Sequence, residues 1–193
     1  MYREIVVQDF LPLFLEQLKF CDSILDIGCG TGVLLERYQA SLVIALEIHR
    51  PYLENRQFEA PHIIPVNANA ADIGRLFLPR TFSAVTFVDS LEHFPKEEGM
   101  RLLEAAAALA RSRVVVFTPR GYFPQSNTDY YHLKGEIYQE HRSGWEVEDF
   151  LRLGFEVTVL KGFHTASNLA FLDSFGAEHP PVDAILASRE VLT

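Results

Sequence analysis

The chain has 193 residues, of which 48% are hydrophobic, and carries a formal net charge of −9 at pH 7. That length fits one well-buried domain over 1–193 rather than two, and acidic charge without a basic stripe disfavours long nucleic acid and leaves a small-molecule partner as the expectation. No apolar run reaches the roughly eighteen residues that would span a membrane, Arg3, Glu4, Asp9, Glu16 and Lys19 argue against a signal peptide in 1–20, and Cys21 and Cys29 read as reduced thiols of a cytoplasmic protein.

In chain order, Phe10, Leu11, Phe14, Leu15 and Leu18 recur at helical spacing and predict a helix over 8–20, with Pro12 tolerable in its first turn. A first strand is expected at 23–27, followed by a glycine-rich turn and a helix over 32–38. Strands follow at 42–48 and 62–66, separated by a helix that Pro51 opens and that runs through 58. A short helix near 71–77 precedes a strand at 82–88. Pro95 then starts a long alanine-rich helix to 110, and 114–118 is the fifth strand.

The rhythm breaks over 119–144, which holds four tyrosines and two histidines and is longer than an ordinary connection. It is the candidate for a substrate-covering insertion. Ser143-Gly144-Trp145-Glu146 reads as a capping box for a helix over 145–153, stopped by Gly154. Strands at 155–160 and 182–188 bring the count to seven, and the alternation of strand and helix predicts an α/β fold.

Residues 24–32 join a buried strand to closely spaced glycines, Asp26-x-Gly28-x-Gly30-x-Gly32. A dinucleotide fingerprint counted from Gly28 and Gly30 needs its last glycine where Val33 stands, and no Lys-Ser or Lys-Thr follows as a P-loop requires. What remains resembles the first motif of the class I S-adenosylmethionine-dependent methyltransferases. The resemblance implies a Rossmann-like, seven-stranded, mostly parallel sheet with helices on both faces and an antiparallel last strand, with S-adenosyl-L-methionine as cofactor.

Glycines at 28, 30 and 32 allow sharp turning and close approach to a ligand. The resemblance gives Asp26 the cofactor's ammonium group. Glu47, at a strand end, can accept both ribose hydroxyls. For the adenine, the matching place falls on Asn69 and Ala70, with Asp72 an equal alternative that could instead cap the next helix. Asp89-Ser90-Leu91-Glu92-His93 lies beside the expected methyl position, with Asp89 a further cofactor contact.

His93 could take a proton from the acceptor or merely support its loop, and His141 is a second candidate base. Asp89, Glu92, His93 and His141 are also similar to the metal-binding pattern of small-RNA 2′-O-methyltransferases. The first position there is Glu and no basic surface accompanies the pattern here, so no metal is assigned. Tyr122, Phe123, Tyr130, Tyr131, His132, Tyr138 and Trp145 could enclose an acceptor or pack the insertion, and Arg120 or Arg142 could meet an acidic substrate.

The expected function is methyl transfer to a small molecule. The alternatives are a metal-assisted RNA or protein methyltransferase, a non-catalytic cofactor-binding module, and a nicotinamide oxidoreductase.

Overall fold

Ser23–Ile27 is buried at every residue, the pattern of a strand covered on both faces. A computed structural model of the chain describes residues 1–126 and 128–191 and places this strand inside one eight-stranded sheet. The strands are β1 (Tyr2–Ile5), β2 (Ser23–Ile27), β3 (Leu42–Glu47), β4 (Ile63–Asn67), β5 (Phe82–Val88), β6 (Ala110–Pro119), β7 (Glu156–His164) and β8 (Val182–Glu190). The helices are α1 (Leu11–Gln17), α2 (Arg50–Glu54), α3 (Ile73–Leu76), α4 (Lys96–Leu109), α5 (Glu136–Gln139), α6 (Val147–Arg152) and α7 (Leu169–Phe175).

The spatial order is β1-β7-β8-β6-β5-β2-β3-β4, and only β8 runs antiparallel to its neighbours β6 and β7. Side chains alternate between two cores. Leu25, Ile27, Val114 and Val116 join one with Trp145 and Phe150, while Ile24, Val43, Val115 and Phe117 join the other with Phe14 and Tyr38. The parallel pairing of β2 with β3 and β5 brings their carboxyl ends together, so that Gly28, Glu47 and Asp89 emerge along one edge. That edge is where open α/β sheets bind ligands. No helix among the described residues is long and apolar enough to cross a membrane.

Three sequence expectations change. An eighth strand, β1, pairs in parallel with β7 at the sheet edge; three of its four residues are exposed, so it carries no apolar run to reveal it. The helix expected over 32–38 reduces to one 3-10 turn, Leu35–Arg37, because Tyr38 turns extended (φ −71°, ψ 126°) and sets its hydroxyl 3.2 Å from Thr86 Oγ1 in the core. The capping box before α6 is formed by Glu146 and Asp149, not from Ser143. Ser143 Oγ is occupied, accepting from Trp145 Nε1 at 3.0 Å.

Candidate active site

A cavity of about 630 Å³ opens at the carboxyl ends of β2, β3 and β5, within the roughly 300–1,000 Å³ usual for ligand clefts. Asp26, Gly28, Gly30, Glu47, Asn69 and Asp89 line it, and so do His93 and His141. The Asp26 side chain sits on β2 and accepts from Thr86 Oγ1 at 2.8 Å. Burial pushes its pKa up to about 6, against the lowering effect of Thr86 and Tyr38.

Glu47 closes the turn. Its Oε2 accepts from the Gly30 amide at 3.0 Å and its Oε1 from the His49 amide at 2.8 Å. Burial raises its pKa while those two amides hold it down. The glycines divide by what a side chain would meet. A Cβ at Gly28 would lie 2.8 Å from Ser90 Cβ, but at Gly30 (φ +57°) nothing stands within 4 Å. Gly30 is therefore kept free on the ligand side, whereas Gly28 is kept free by the chain's own packing.

Asn69 and Asp72 separate. Asn69 lines the cavity, although its Oδ1 already caps the next turn through the Ala71 amide at 2.9 Å. Asp72 lies outside the cavity lining, half-exposed and 3.8 Å from Arg75. Ala70 is buried beside them but does not reach the lining, and neither does Gly32, whose Cβ position would clash with Leu35.

At the end of β5, Asp89 takes φ +44°, a left-handed conformation that Asp tolerates better than most residues. Ser90 Oγ donates to the Ile27 carbonyl at 2.8 Å and ties this turn to β2. Asp89 is open to the cavity; confinement by its walls, with the Glu92 carboxylate as a smaller cause, raises its pKa well above the usual range. Glu92 is buried, and that burial raises its pKa although Thr118 Oγ1 donates to its Oε2 at 2.8 Å.

His93 Nδ1 lies 3.1 Å from the Glu140 carbonyl and His141 Nδ1 lies 2.7 Å from the Phe123 carbonyl. A carbonyl only accepts, so both Nδ1 atoms carry the hydrogen. Burial lowers both pKa values, that of His141 to about 3, so both Nε2 atoms present lone pairs. The ring centroids stand 4.8 Å apart, and one ligand atom from each of Glu92, His93 and His141 lies within 4.8 Å of the others.

Segment 119–144, of which position 127 lies outside the described residues, is fastened at both sides. The Glu92 carbonyl accepts from the Arg142 and Ser143 amides at 2.8 and 3.1 Å. His49 Nε2 bonds the Leu133 carbonyl at 2.8 Å, and Tyr52 meets Tyr131 edge-on. Phe123, Tyr130, Tyr131 and Tyr138 reach the lining, while Tyr122 and His132 do not. Trp145 is fully buried against Gly99, in the core rather than over the cavity. Arg120 is held by Glu146 and Asp183, outside the lining.

Residues 24–113 match the family model of a methyltransferase domain, and they contain the glycine turn, Glu47 and the Asp89–His93 turn. Over that stretch, just under half of its length, the chain is similar to methyltransferase domains. No curated protein matches it by sequence. Similar solved structures include a protein of Bacillus halodurans C-125, 15% identical with TM-score 0.67 over 95% of this chain and 99% of that one. An S-adenosylmethionine-dependent methyltransferase of Archaeoglobus fulgidus is 18% identical, with TM-score 0.61 over 93% and 91%. One from Mesorhizobium loti is 17% identical, with TM-score 0.62 over 93% and 95%. At these identities the three share the fold.

The cavity suits S-adenosylmethionine, the cofactor that the sequence resemblance implies, in two respects. Gly30 leaves open space for close approach, and two buried carboxylates, Asp26 and Glu47, line the same cavity as candidate acceptors for a cationic or hydroxyl-bearing ligand. The cavity is also lined by residues that the sequence did not single out as site residues. Glu92 was read only within the 89–93 turn and the candidate metal pattern; Phe10 and His164 carried no local motif, and they reach the lining from α1's entry and the end of β7.

Proposed function

We propose that this methyltransferase acts on a small molecule bound between the Asp89–His93 turn and segment 119–144, within the single domain. One observation carries the reading: a continuous cavity runs from Asp26, Gly30 and Glu47 to Tyr138 and His141, with neutral imidazoles along it. When bound, the cofactor supplies an electrophilic methyl group on a cationic sulfur. Asp26 pairs with its ammonium group, Glu47 accepts from its ribose hydroxyls, and Asn69 contacts the adenine.

The chain's own contribution is alignment. Holding acceptor and methyl carbon in line at near-attack distance outweighs any single acid or base. His93 takes the acceptor's proton at Nε2, since its Nδ1–H is committed to Glu140. His141, with a pKa of about 3, is a weak proton acceptor near neutral pH and orients the acceptor instead.

Calorimetric titration with S-adenosylmethionine and S-adenosylhomocysteine tests the reading. Glu47→Ala should weaken both by roughly ten- to a hundredfold, the loss of a buried charge-assisted contact of about 1.5–3 kcal/mol. Absence of binding by the wild type would refute it. A second reading is favoured by the convergence of Glu92, His93 and His141: each imidazole has its Nδ1 anchored to a carbonyl, as metal-bound histidines commonly do. A divalent cation there would hold an acceptor hydroxyl, and turnover would then be lost on chelation and restored by added metal.

A further inference from the structure

Charge along the cavity is one-sided. Five carboxylates line it, Asp26, Glu47, Asp89, Glu92 and Glu98, against one arginine, Arg142, and no lysine among the described residues. Arg142 is already engaged: its Nη2 donates to the Ile137 carbonyl at 3.0 Å and its Nε stands 3.5 Å from Glu140 Oε2. His164 adds no fixed positive charge, since burial lowers its pKa to about 4. An anionic acceptor would find no free counter-charge among the described lining residues.

Shape points the same way as charge. The rings of His93, His141, Phe123 and His164 follow one another at centroid separations of 4.8, 5.7 and 5.5 Å, and Tyr130, Tyr131 and Tyr138 also face the cavity. Such walls suit a planar, weakly polar ligand. Beyond Phe123, His164 lines the cavity at 7% exposure, and its Nε2 is buried without a hydrogen-bond partner. Its neighbours Phe117, Phe123 and Phe163 offer none. Buried polar atoms in native proteins are nearly always paired, so an unpaired one on a ligand cavity marks a place for a ligand group.

We propose that the acceptor is an uncharged aromatic molecule bearing a hydroxyl or N–H group, and that His164 is the residue that hydrogen-bonds it. The inference rests on the cofactor site described above. It assigns His164 to recognition and leaves proton transfer at His93.

The test uses the full chain saturated with S-adenosylhomocysteine, after calorimetry has established that this product binds. Failure at that first step refutes the cofactor site, whereas failure at the next refutes only the acceptor class. The loaded protein, carrying isotope-labelled histidine, is titrated with p-cresol, 4-methylbenzoate and p-tolyl phosphate and followed by NMR. Saturable p-cresol binding that shifts the His164 ring signals is expected, with both anions at least about tenfold weaker.

His164→Phe should weaken p-cresol by about three- to tenfold, the loss of one hydrogen bond, with S-adenosylhomocysteine affinity unchanged. Either anion binding as tightly as p-cresol, no saturable p-cresol binding, or an unaltered p-cresol affinity in the variant would each overturn the proposal. If His164→Phe does not fold, the order of the three probes on the wild type still decides.

Discussion

Asp26 shows how one side chain links burial to ligand affinity. With its folded pKa raised to about 6 by burial, it is protonated in the free protein below that pH. A cationic ammonium requires the carboxylate, so affinity for S-adenosylhomocysteine should fall by up to about tenfold per pH unit below about 6. Calorimetry across pH 4.5 to 8 should show this step, and in Asp26→Asn affinity should be low with the step reduced to whatever Glu47 contributes. A second comparison separates two glycines of one motif. Gly30→Ala should cost only about 1–2 kcal/mol of backbone strain yet abolish cofactor binding, because its Cβ enters open cavity. Gly28→Ala should lose stability first, since its Cβ would lie 2.8 Å from Ser90. Urea unfolding beside product titration distinguishes them.

The elements matter here mainly through their ends. α4 and α6 are clamped where Lys96 Nζ lies 2.5 Å from Asp149 Oδ2 and 2.7 Å from the Gly144 carbonyl, with the same ammonium 3.8 Å from the Trp145 ring centroid. That clamp anchors the far end of segment 119–144. Gly99 lies under the indole, and a Cβ there would stand 2.6 Å from Trp145 Cζ2. Gly99→Ala should therefore lower the unfolding free energy read from urea titration by about 1–3 kcal/mol through overpacking, despite alanine's better helix propensity. Had the substitution instead stabilised the protein, the indole would have to repack freely. The clamp also explains the misplaced capping box: once Trp145 is drawn into the core, Ser143 serves the indole and Glu146 becomes the first residue able to cap α6.

Across the whole molecule, titrating groups oppose one another. Buried histidines kept neutral favour folding above their unfolded pKa and lose that contribution on acidification, whereas buried carboxyls with raised pKa values gain on acidification. For His164, lowered from 6.5 to about 4, the contribution is complete above pH 6.5 and falls by about 2 kcal/mol by pH 5. Asp26 changes in the opposite direction between its unfolded 3.8 and about 6. His164→Phe should therefore shift the stability difference between pH 5 and pH 7 by about 2 kcal/mol in favour of pH 5. Denaturant titrations at the two pH values would show no such shift if His164 were solvated.

The glycine turn, the acid at the end of β3 and the strand segments along the chain from β2 onward were legible because each depends on chemistry within a few residues. Close glycines, a carboxylate at a strand end and β-branched runs carry their meaning locally. β1 was not legible, because an exposed edge strand is specified by its partner β7 rather than by an apolar pattern of its own. The choice between Asn69 and Asp72 turned on which way one short turn faces, and the short 3-10 turn after the glycines turned on a hydroxyl reaching across the core to Thr86. His164 lies at the end of a late strand, far along the chain from the motif it stands near. What the sequence by itself determined was therefore the glycine turn with its acids, from which the resemblance to a cofactor class follows, and the alternation of strand and helix that makes an α/β core. Only the tertiary structure decided what lines the cavity, because that surface is assembled from residues as distant as Phe10, His93, His141 and His164, whose shared environment exists only once the sheet has formed.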